Sequence, residues 1–268
     1  MGVVNVTPDS FSDGGVFDTA EDAVAHGRRL AAEGAQILDV GGESTSPGAD
    51  PVPVEEELRR VLPVVEGLAG VARVSIDTMK LAVAEAAVDA GASYVNDVTA
   101  FRHDPELAGL VADRGLDCCL MHMLGEPRTM QRDPRYGDVV SDVKAFLTER
   151  MEAAVRAGVP EERIQLDPGI GFGKTLEHNL ELLRRLEELT ELGRPLVIGT
   201  SRKSFIGRIT GRDVTERVHG TVATCVLALE RGASVFRVHD VAAVSDALKV
   251  TSATVAGWPT SPRTTTTS

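Results

Sequence analysis

Three cysteines in 268 residues, aromatic residues at 4% and no apolar run near the ~20 residues of a membrane span set the first limits on this chain. Cys118 and Cys119 are neighbours in a strand pattern and Cys225 falls in a helical one. Three thiols so placed do not make a disulfide framework and read as reduced core residues. Basic residues are in deficit, 28 against 40 acidic, for a formal charge of −12. General binding to nucleic acid or an anionic membrane needs basic patches and is not expected. A local cluster can still hold a small anion against the global field. The opening apolar run is too short for a secretion signal and lacks a basic n-region, so the expected address is cytoplasmic. Hydrophobic content of 43% and charged content of 25% are those of an ordinary globular protein.

What the chain does have is a recurring unit. Runs of β-branched and aliphatic residues appear at Val3–Val6, Ile37–Val40, Val74–Ile76, Tyr94–Val98, Cys118–Met121, Ile164–Leu166, Leu196–Ile198 and Val235–Val238. Apolar runs bounded by turn signals read as parallel strands buried on both faces. At or just past their ends stand Asn5, Asp39, Asp77, Asn96 with Asp97, His122, Asp167, Ser201 with Lys203, and Arg237 with His239. The carboxyl ends of parallel strands are where α/β proteins assemble their sites.

Between the runs, Leu81, Ala84, Val88 and Leu176, Leu180, Leu183 follow the spacing of one buried helical face. Glycines such as Gly34 and Gly91 close the helical stretches just before the next strand. The left-handed residue after a helix is commonly glycine. Repeated strand–helix units predict an α/β, single-domain (β/α)8 (TIM) barrel, with a doubly wound open sheet as the alternative. The barrel is expected over residues 1–257 and a disordered tail over 258–268. Long loops rich in Gly, Pro, Ser and Asp follow the first two strands, Thr7 to Val16 and Gly41 to Val54. Loops of that composition can act as mobile lids.

The most specific string is the first loop, Asn5-Val6-Thr7-Pro8-Asp9-Ser10-Phe11-Ser12-Asp13-Gly14-Gly15. Further along come Gly42-Glu43-Ser44-Thr45, Ser75-Ile76-Asp77-Thr78, Asn96-Asp97-Val98 and Met121-His122-Met123. Asp167-Pro168-Gly169-Ile170-Gly171-Phe172-Gly173-Lys174-Thr175, Ser201-Arg202-Lys203-Ser204-Phe205-Ile206-Gly207 and Arg237-Val238-His239-Asp240 complete the set. In order and in register with the strand units, these strings resemble the dihydropteroate synthases, pterin-binding enzymes of folate biosynthesis.

The resemblance implies a transferase that joins 4-aminobenzoate to a dihydropterin carrying a methyl diphosphate. It implies a pterin site of Asp77, Asn96, Val98, Met121, Asp167, Phe172 and Lys203. A pterin edge needs acceptors and donors: Asp167 accepts, Asn96 does both, and Lys203 donates to a carbonyl. Asn5, Arg237 and His239 are implied for the diphosphate, with Asn5 as the link to Mg²⁺, an ion that keeps waters and binds through substrate phosphate. Thr45, Pro47, Phe172, Lys203 and Ser204 are implied for 4-aminobenzoate, where sulfonamides would compete. The implied catalytic groups are Asp77, Lys203, Arg237 and His239, with Asp77 stabilising the cation left when diphosphate departs in an S_N1-like step. A homodimer is also implied.

Each residue has a plainer reading: Asp167 as a helix N-cap, Asn96 as a satisfied buried amide, Arg237 as the structural partner of Asp240. Gly173-Lys174-Thr175 looks like the end of a phosphate loop, but Pro168 replaces the glycine five places before Gly173 and has no N–H to offer. His122 has no second His or Cys at ligand spacing and reads as a hydrogen-bonded barrel residue. The chain departs from the family at Ser46, where the family usually has Arg, and Arg128 or Arg202 are candidates to compensate. It also starts so close to its first strand that a ragged end is expected there. A folate-binding methyltransferase acting on a corrinoid protein is a rival, disfavoured because methyl transfer needs no diphosphate site. A non-catalytic paralogue is suggested only by Ser46.

Overall fold

Every apolar run becomes a strand: β1 (Gly2–Asn5), β2 (Ile37–Gly41), β3 (Arg73–Asp77), β4 (Tyr94–Asp97), β5 (Asp117–Met121), β6 (Ile164–Asp167), β7 (Val197–Ile198) and β8 (Val235–Phe236). The computed structural model describes residues 1–7, 19–46 and 48–256. Strands β1 to β6 pair in chain order, all parallel, and β7 pairs with β8. Isolated bridges at Leu166–Leu196 and Gly2–Val238 join the two sets at both edges. The sheet therefore closes on itself as a (β/α)8 barrel, with no open edge left for another chain. An open doubly wound sheet is excluded by that closure.

The helices are α1 (Ala20–Ala32), α2 (Val54–Leu68), α3 (Leu81–Asp89), α4 (Leu107–Asp113), α5 (Val139–Arg156), α6 (Leu176–Arg184), α7 (Glu187–Thr190), α8 (Ser204–Thr210), α9 (Val218–Glu230) and α10 (Val241–Ala256). Their starts are written locally. Thr19 accepts from the Asp22 amide at 3.2 Å to begin α1, and Thr175 and His178 form a reciprocal capping box on α6. Gly91 takes φ +116° after α3, a conformation a side chain rarely adopts. Val4, Leu38, Ile76, Val95, Leu120 and Leu166 alternate with inward groups and are fully buried against the helices.

Three expectations are corrected or completed. The first strand is not ragged: Val3 N–H donates to the Val238 carbonyl at 3.0 Å and Val238 N–H to the Met1 carbonyl at 2.9 Å. Leu180 does not belong to the buried face of α6, being 42% exposed; Asn179, Leu182 and Leu183 form it instead. The cysteines are free and buried, as read. The lid reading of the first loop and the tail from Trp258 fall outside the described residues. Among the described residues no helix is long and apolar enough to cross a membrane.

Leu183→Ala is expected to cost about 2–5 kcal/mol, the range for truncating a buried leucine. Leu180→Ala should stay within about 0.5 kcal/mol. Urea midpoints of the two variants measure the difference directly.

Candidate active site

A cleft of about 480 Å³ opens at the carboxyl-terminal rim of the barrel. Asn5, Thr45, Asp77, Asn96, Val98, Met121, Asp167, Phe172, Lys203, Ser204, Arg237 and His239 all line it. Of the candidate residues only Pro47 cannot be placed, because it lies outside the described residues.

The centre of the cleft is one guanidinium shared by two carboxylates. Arg237 donates from Nε to Asp39 Oδ2 at 2.6 Å and from Nη2 to Asp77 Oδ2 at 2.7 Å. Asp39 is fully buried and also accepts from Ser75 Oγ at 2.6 Å and Asn96 Nδ2 at 3.1 Å. Burial opposes the charge on Arg237, but Asp39 and Asp77 outweigh it and hold its pKa raised. Two acids cannot be fully compensated by one cation, and the imbalance falls on Asp77. Burial pushes its pKa up to about 7, with Arg237 opposing and Asp39 adding to the rise.

Across the cleft stand Asp167 and Lys203. The Cβ that Gly199 lacks would lie 3.8 Å from Lys203 Nζ, 4.0 Å from Asp167 Oδ2 and 4.0 Å from Arg237 Cβ. The three groups therefore converge on one small volume above β7. Asp167 is no helix N-cap: Oδ1 accepts from the Gly169 amide at 2.6 Å, and the next helix starts at Leu176. Burial raises the Asp167 pKa, while Lys203 and that amide oppose the rise. Burial lowers Lys203 to about 8, with Asp167 working the other way. Lys203 Nζ donates to the Ile170 carbonyl and sits 4.6 Å from the centre of the Phe172 ring, a cation–π contact.

The segment after β6 that carries Phe172 is fixed by its backbone. Gly169 has φ +66°, and a Cβ there would stand 1.9 Å from the His122 carbonyl oxygen. Asn179 accepts from the Gly171 amide at 2.7 Å, and Tyr136 donates to the Gly173 carbonyl at 2.7 Å. Lys174 is no phosphate-loop lysine. It is buried, with Nζ 2.8 Å from His122 Nδ1 and 3.0 Å from the Phe172 carbonyl. His122 is thus the hydrogen-bonded barrel residue expected, held neutral by burial and by Lys174, with its pKa lowered to about 2.

Arg237 is not the partner of Asp240; Arg202 is, through two bonds of 3.0 and 2.7 Å. His239 donates its backbone N–H to Ser201 Oγ at 3.1 Å, and its Nδ1 lies 3.0 Å from the same oxygen. Ser201 Oγ has one proton and two acceptor lone pairs, so while accepting from the amide it can either donate to Nδ1 or accept from it. Either direction commits Nδ1 to Ser201 and leaves Nε2 as the ring nitrogen for substrate. Burial, then Arg237, lower the pKa of His239 to about 3, so the ring is neutral at pH 7.

For Mg²⁺ the donor set is sparse. Among the described residues no group of three or more His, Cys, Asp or Glu could hold a metal ion. Asn5 Oδ1 and Asp77 Oδ2 both lie within 4 Å of the space a Gly41 Cβ would fill, at 3.7 and 3.6 Å. One amide oxygen near a carboxylate suits a hard cation that arrives with substrate phosphates and waters, not one caged by protein.

The family model described as pterin binding enzyme matches residues 1–239. The chain is 46% identical to the dihydropteroate synthase of Escherichia coli K12, over 95% of this chain and 91% of that one. A Yersinia pestis dihydropteroate synthase with a sulfonamide drug complex superposes with a TM-score of 0.92 at 44% identity, covering 96% and 94% of the two chains. A Xanthomonas albilineans dihydropteroate synthase in complex with 7,8-dihydropteroate gives 0.85 at 51% identity, covering 95% and 92%. The chain belongs to the pterin binding enzyme family, with the dihydropteroate synthases.

Within this pterin binding enzyme, sequence reasoning left Asp39 and Ser201 without roles, although both had been noted at strand ends. The usable signal for Asp39 was a lone carboxylate inside the apolar run Ile37-Leu38-Asp39-Val40, where an unpaired charge is too costly to leave. Ser201 carried no such signal, since a serine before a helix start is common. Asp39→Asn is expected to destabilise the fold by about 3–5 kcal/mol, the range for breaking one partner out of a buried ion pair. Thermal or urea unfolding tests it, and a change under about 1 kcal/mol would mean that Arg237 does not depend on Asp39.

Proposed function

We infer that this cleft carries out the dihydropteroate synthase reaction: the amine of 4-aminobenzoate displaces diphosphate from (7,8-dihydropterin-6-yl)methyl diphosphate, giving 7,8-dihydropteroate and diphosphate. The observation that carries the reading is the convergence of Asp77, Asn96, Asp167, Lys203 and Arg237 on one rim, in a chain with whole-length likeness to enzymes of that name. Asp167 and Asn96 receive the donors of the pterin edge, Lys203 donates to its carbonyl, and Val98, Met121 and Phe172 bound the flat ring.

The leaving group meets Arg237, Asn5 and His239. An arginine has five N–H donors, and only Nε and one bond from Nη2 are spent on the carboxylates. Those bonds fix the plane of the guanidinium and leave Nη1 for phosphate oxygens. In the tautomer in which Ser201 donates to Nδ1, neutral His239 offers Nε2–H as a donor. Mg²⁺, held by Asn5 and the diphosphate itself, would neutralise charge building on the departing oxygens.

The bond from the methylene carbon to the diphosphate oxygen breaks with its electron pair going to oxygen. The cation left behind spreads over the pterin beside the Asp77 carboxylate, which stabilises it without reorganisation. The lone pair of the arylamine then forms the new C–N bond, and its extra proton is released to water. Thr45, Phe172, Lys203 and Ser204 form the arylamine end, where sulfonamides compete, and Pro47 is assigned to it by the family resemblance alone. A cytoplasmic homodimer belongs to the same reading: the dimer rests on the family resemblance, and the buried free cysteines suit a reducing compartment.

Purified protein incubated with the pterin diphosphate, 4-aminobenzoate and Mg²⁺ should yield dihydropteroate by mass spectrometry, and no product would end the reading. Asp77→Asn should lower kcat by about 10²–10³-fold, the cost of one preorganised electrostatic group, with little change in pterin binding by calorimetry. An unchanged kcat rejects the role of Asp77. Because the pKa of Asp77 is raised to about 7, its carboxylate is lost as pH falls through that value. kcat should therefore decline on the acid side of pH 7, and a flat profile down to pH 5 contradicts the assignment. Ser46→Arg should lower KM for the pterin diphosphate; identical KM and kcat would make Ser46 neutral.

A further inference from the structure

A second ion network lies beside the cleft. Lys80, just ahead of α3, donates from Nζ to the Glu43 carboxylate, to Glu57 Oε2 at 2.6 Å and to the Val52 carbonyl at 2.6 Å. Glu57, on α2, is buried and accepts from Thr78 Oγ1 at 2.7 Å as well. Arg60, also on α2, donates to the Gly42 carbonyl at 2.8 Å. Side chains from α2 and the start of α3 thus hold the segment after β2 at Gly42 and Glu43, where it leaves the strand, and at Val52, where it returns to α2. Between those points the same segment brings Ser44, Thr45 and Ser46 to the cleft wall.

Lys80 itself does not line the cleft, so none of the chemistry derived above uses it. Burial would lower the pKa of its ammonium, but the hydrogen bonds it donates to Glu43 and Glu57 overcome this and raise it. A lone lysine–glutamate pair at the surface holds a loop weakly. A cation half-enclosed by two carboxylates and a carbonyl is different, since removing it strands the buried acid Glu57 and the partly buried Glu43.

We propose that Lys80 is a positioning residue, holding the Glu43–Val52 segment so that Thr45 stands at the arylamine end of the cleft, and that it thereby controls capture of 4-aminobenzoate more than that of the pterin diphosphate. The proposal rests on the reading of Thr45 as part of the arylamine wall. A released segment lets Thr45 sample positions away from the second substrate, while the pterin floor, built on β3, β4, β6 and β7, keeps its geometry.

Steady-state kinetics of Lys80→Met, Glu43→Gln and Thr45→Val test it. Lys80→Met should raise KM for 4-aminobenzoate by about tenfold with KM for the pterin diphosphate within about twofold. Glu43→Gln should shift the same constant, and the double variant should resemble Lys80→Met alone, because both act through one contact. If Lys80→Met does not fold, Glu43→Gln still decides the matter, since it removes the charge that ties Glu43 to Lys80 and leaves the Lys80–Glu57 pair and the Lys80–Val52 contact in place. Equal rises in both KM values, or no rise in either, overturn the proposal. With Thr45→Val raising the 4-aminobenzoate KM and Glu43→Gln not, only the clamp fails. With Thr45→Val also silent, the arylamine-wall reading fails with it.

Discussion

One guanidinium bound by two buried carboxylates organises the rim of this barrel. Arg237 arrives past the end of β8, Asp39 lies on β2 and Asp77 ends β3, so the contact ties strands from opposite ends of the chain. Asp39 passes the constraint on, since its other oxygen and the shared one receive Ser75 and Asn96. A connected network of this kind allows few alternative rotamers for the groups that face the substrate. The barrel makes the contact possible only because it closes: without the bridges at Gly2–Val238 and Leu166–Leu196, the neighbourhood of β8 and β2 would not exist.

Charge in the cleft follows from that constraint. On one side Asp39 and Asp77 exceed their single cation. On the other Asp167 faces Lys203, with Lys174 behind it touching the Phe172 carbonyl and His122. The two histidines near the site are both held neutral by burial and by neighbouring cations, and each has one ring nitrogen committed to a fixed partner. A developing carbocation therefore meets the Asp77 carboxylate once pH exceeds its pKa of about 7, and a departing anion meets donors already in place. Electrostatic stabilisation by groups already in place is generally the largest contribution an enzyme makes.

The strands were legible in the sequence because each is a short apolar run ending on a polar residue, too short for a buried helix and bounded by turn signals. The site positions were legible for the same reason. What could not be read was pairing. Arg237 stands 198 residues from Asp39, and the nearer acid, Asp240, was the natural partner by proximity in the chain, yet Arg202 takes it. The face of α6 was misassigned for a related cause: Leu176, Leu180 and Leu183 keep helical spacing, but the buried position between them is Asn179. Its amide oxygen receives the Gly171 N–H, so a hydrogen bond joins the burial of Leu182 and Leu183 in setting which face of that helix turns inward.

The two ion networks share a stoichiometry that stability alone does not favour. Arg237 serves Asp39 and Asp77; Lys80 serves Glu43 and Glu57. In each, at least one carboxylate is almost fully enclosed. Desolvating two acids against one base costs more than the Coulomb attraction returns unless neutral donors complete the set, and apolar replacements of similar volume are often at least as stable. Neutral donors do complete them here, Ser75 and Asn96 in the first and Thr78 in the second. What such networks supply in exchange is direction: carboxylate–cation contacts fix side chains that hydrophobic packing would leave free to repack. Both networks lie where a strand end becomes a loop at the rim, and the helices covering the barrel are packed on aliphatic residues instead. Costly polar order confined to the edge of the substrate cleft is what a site needs when its chemistry depends on groups already aimed before either substrate arrives.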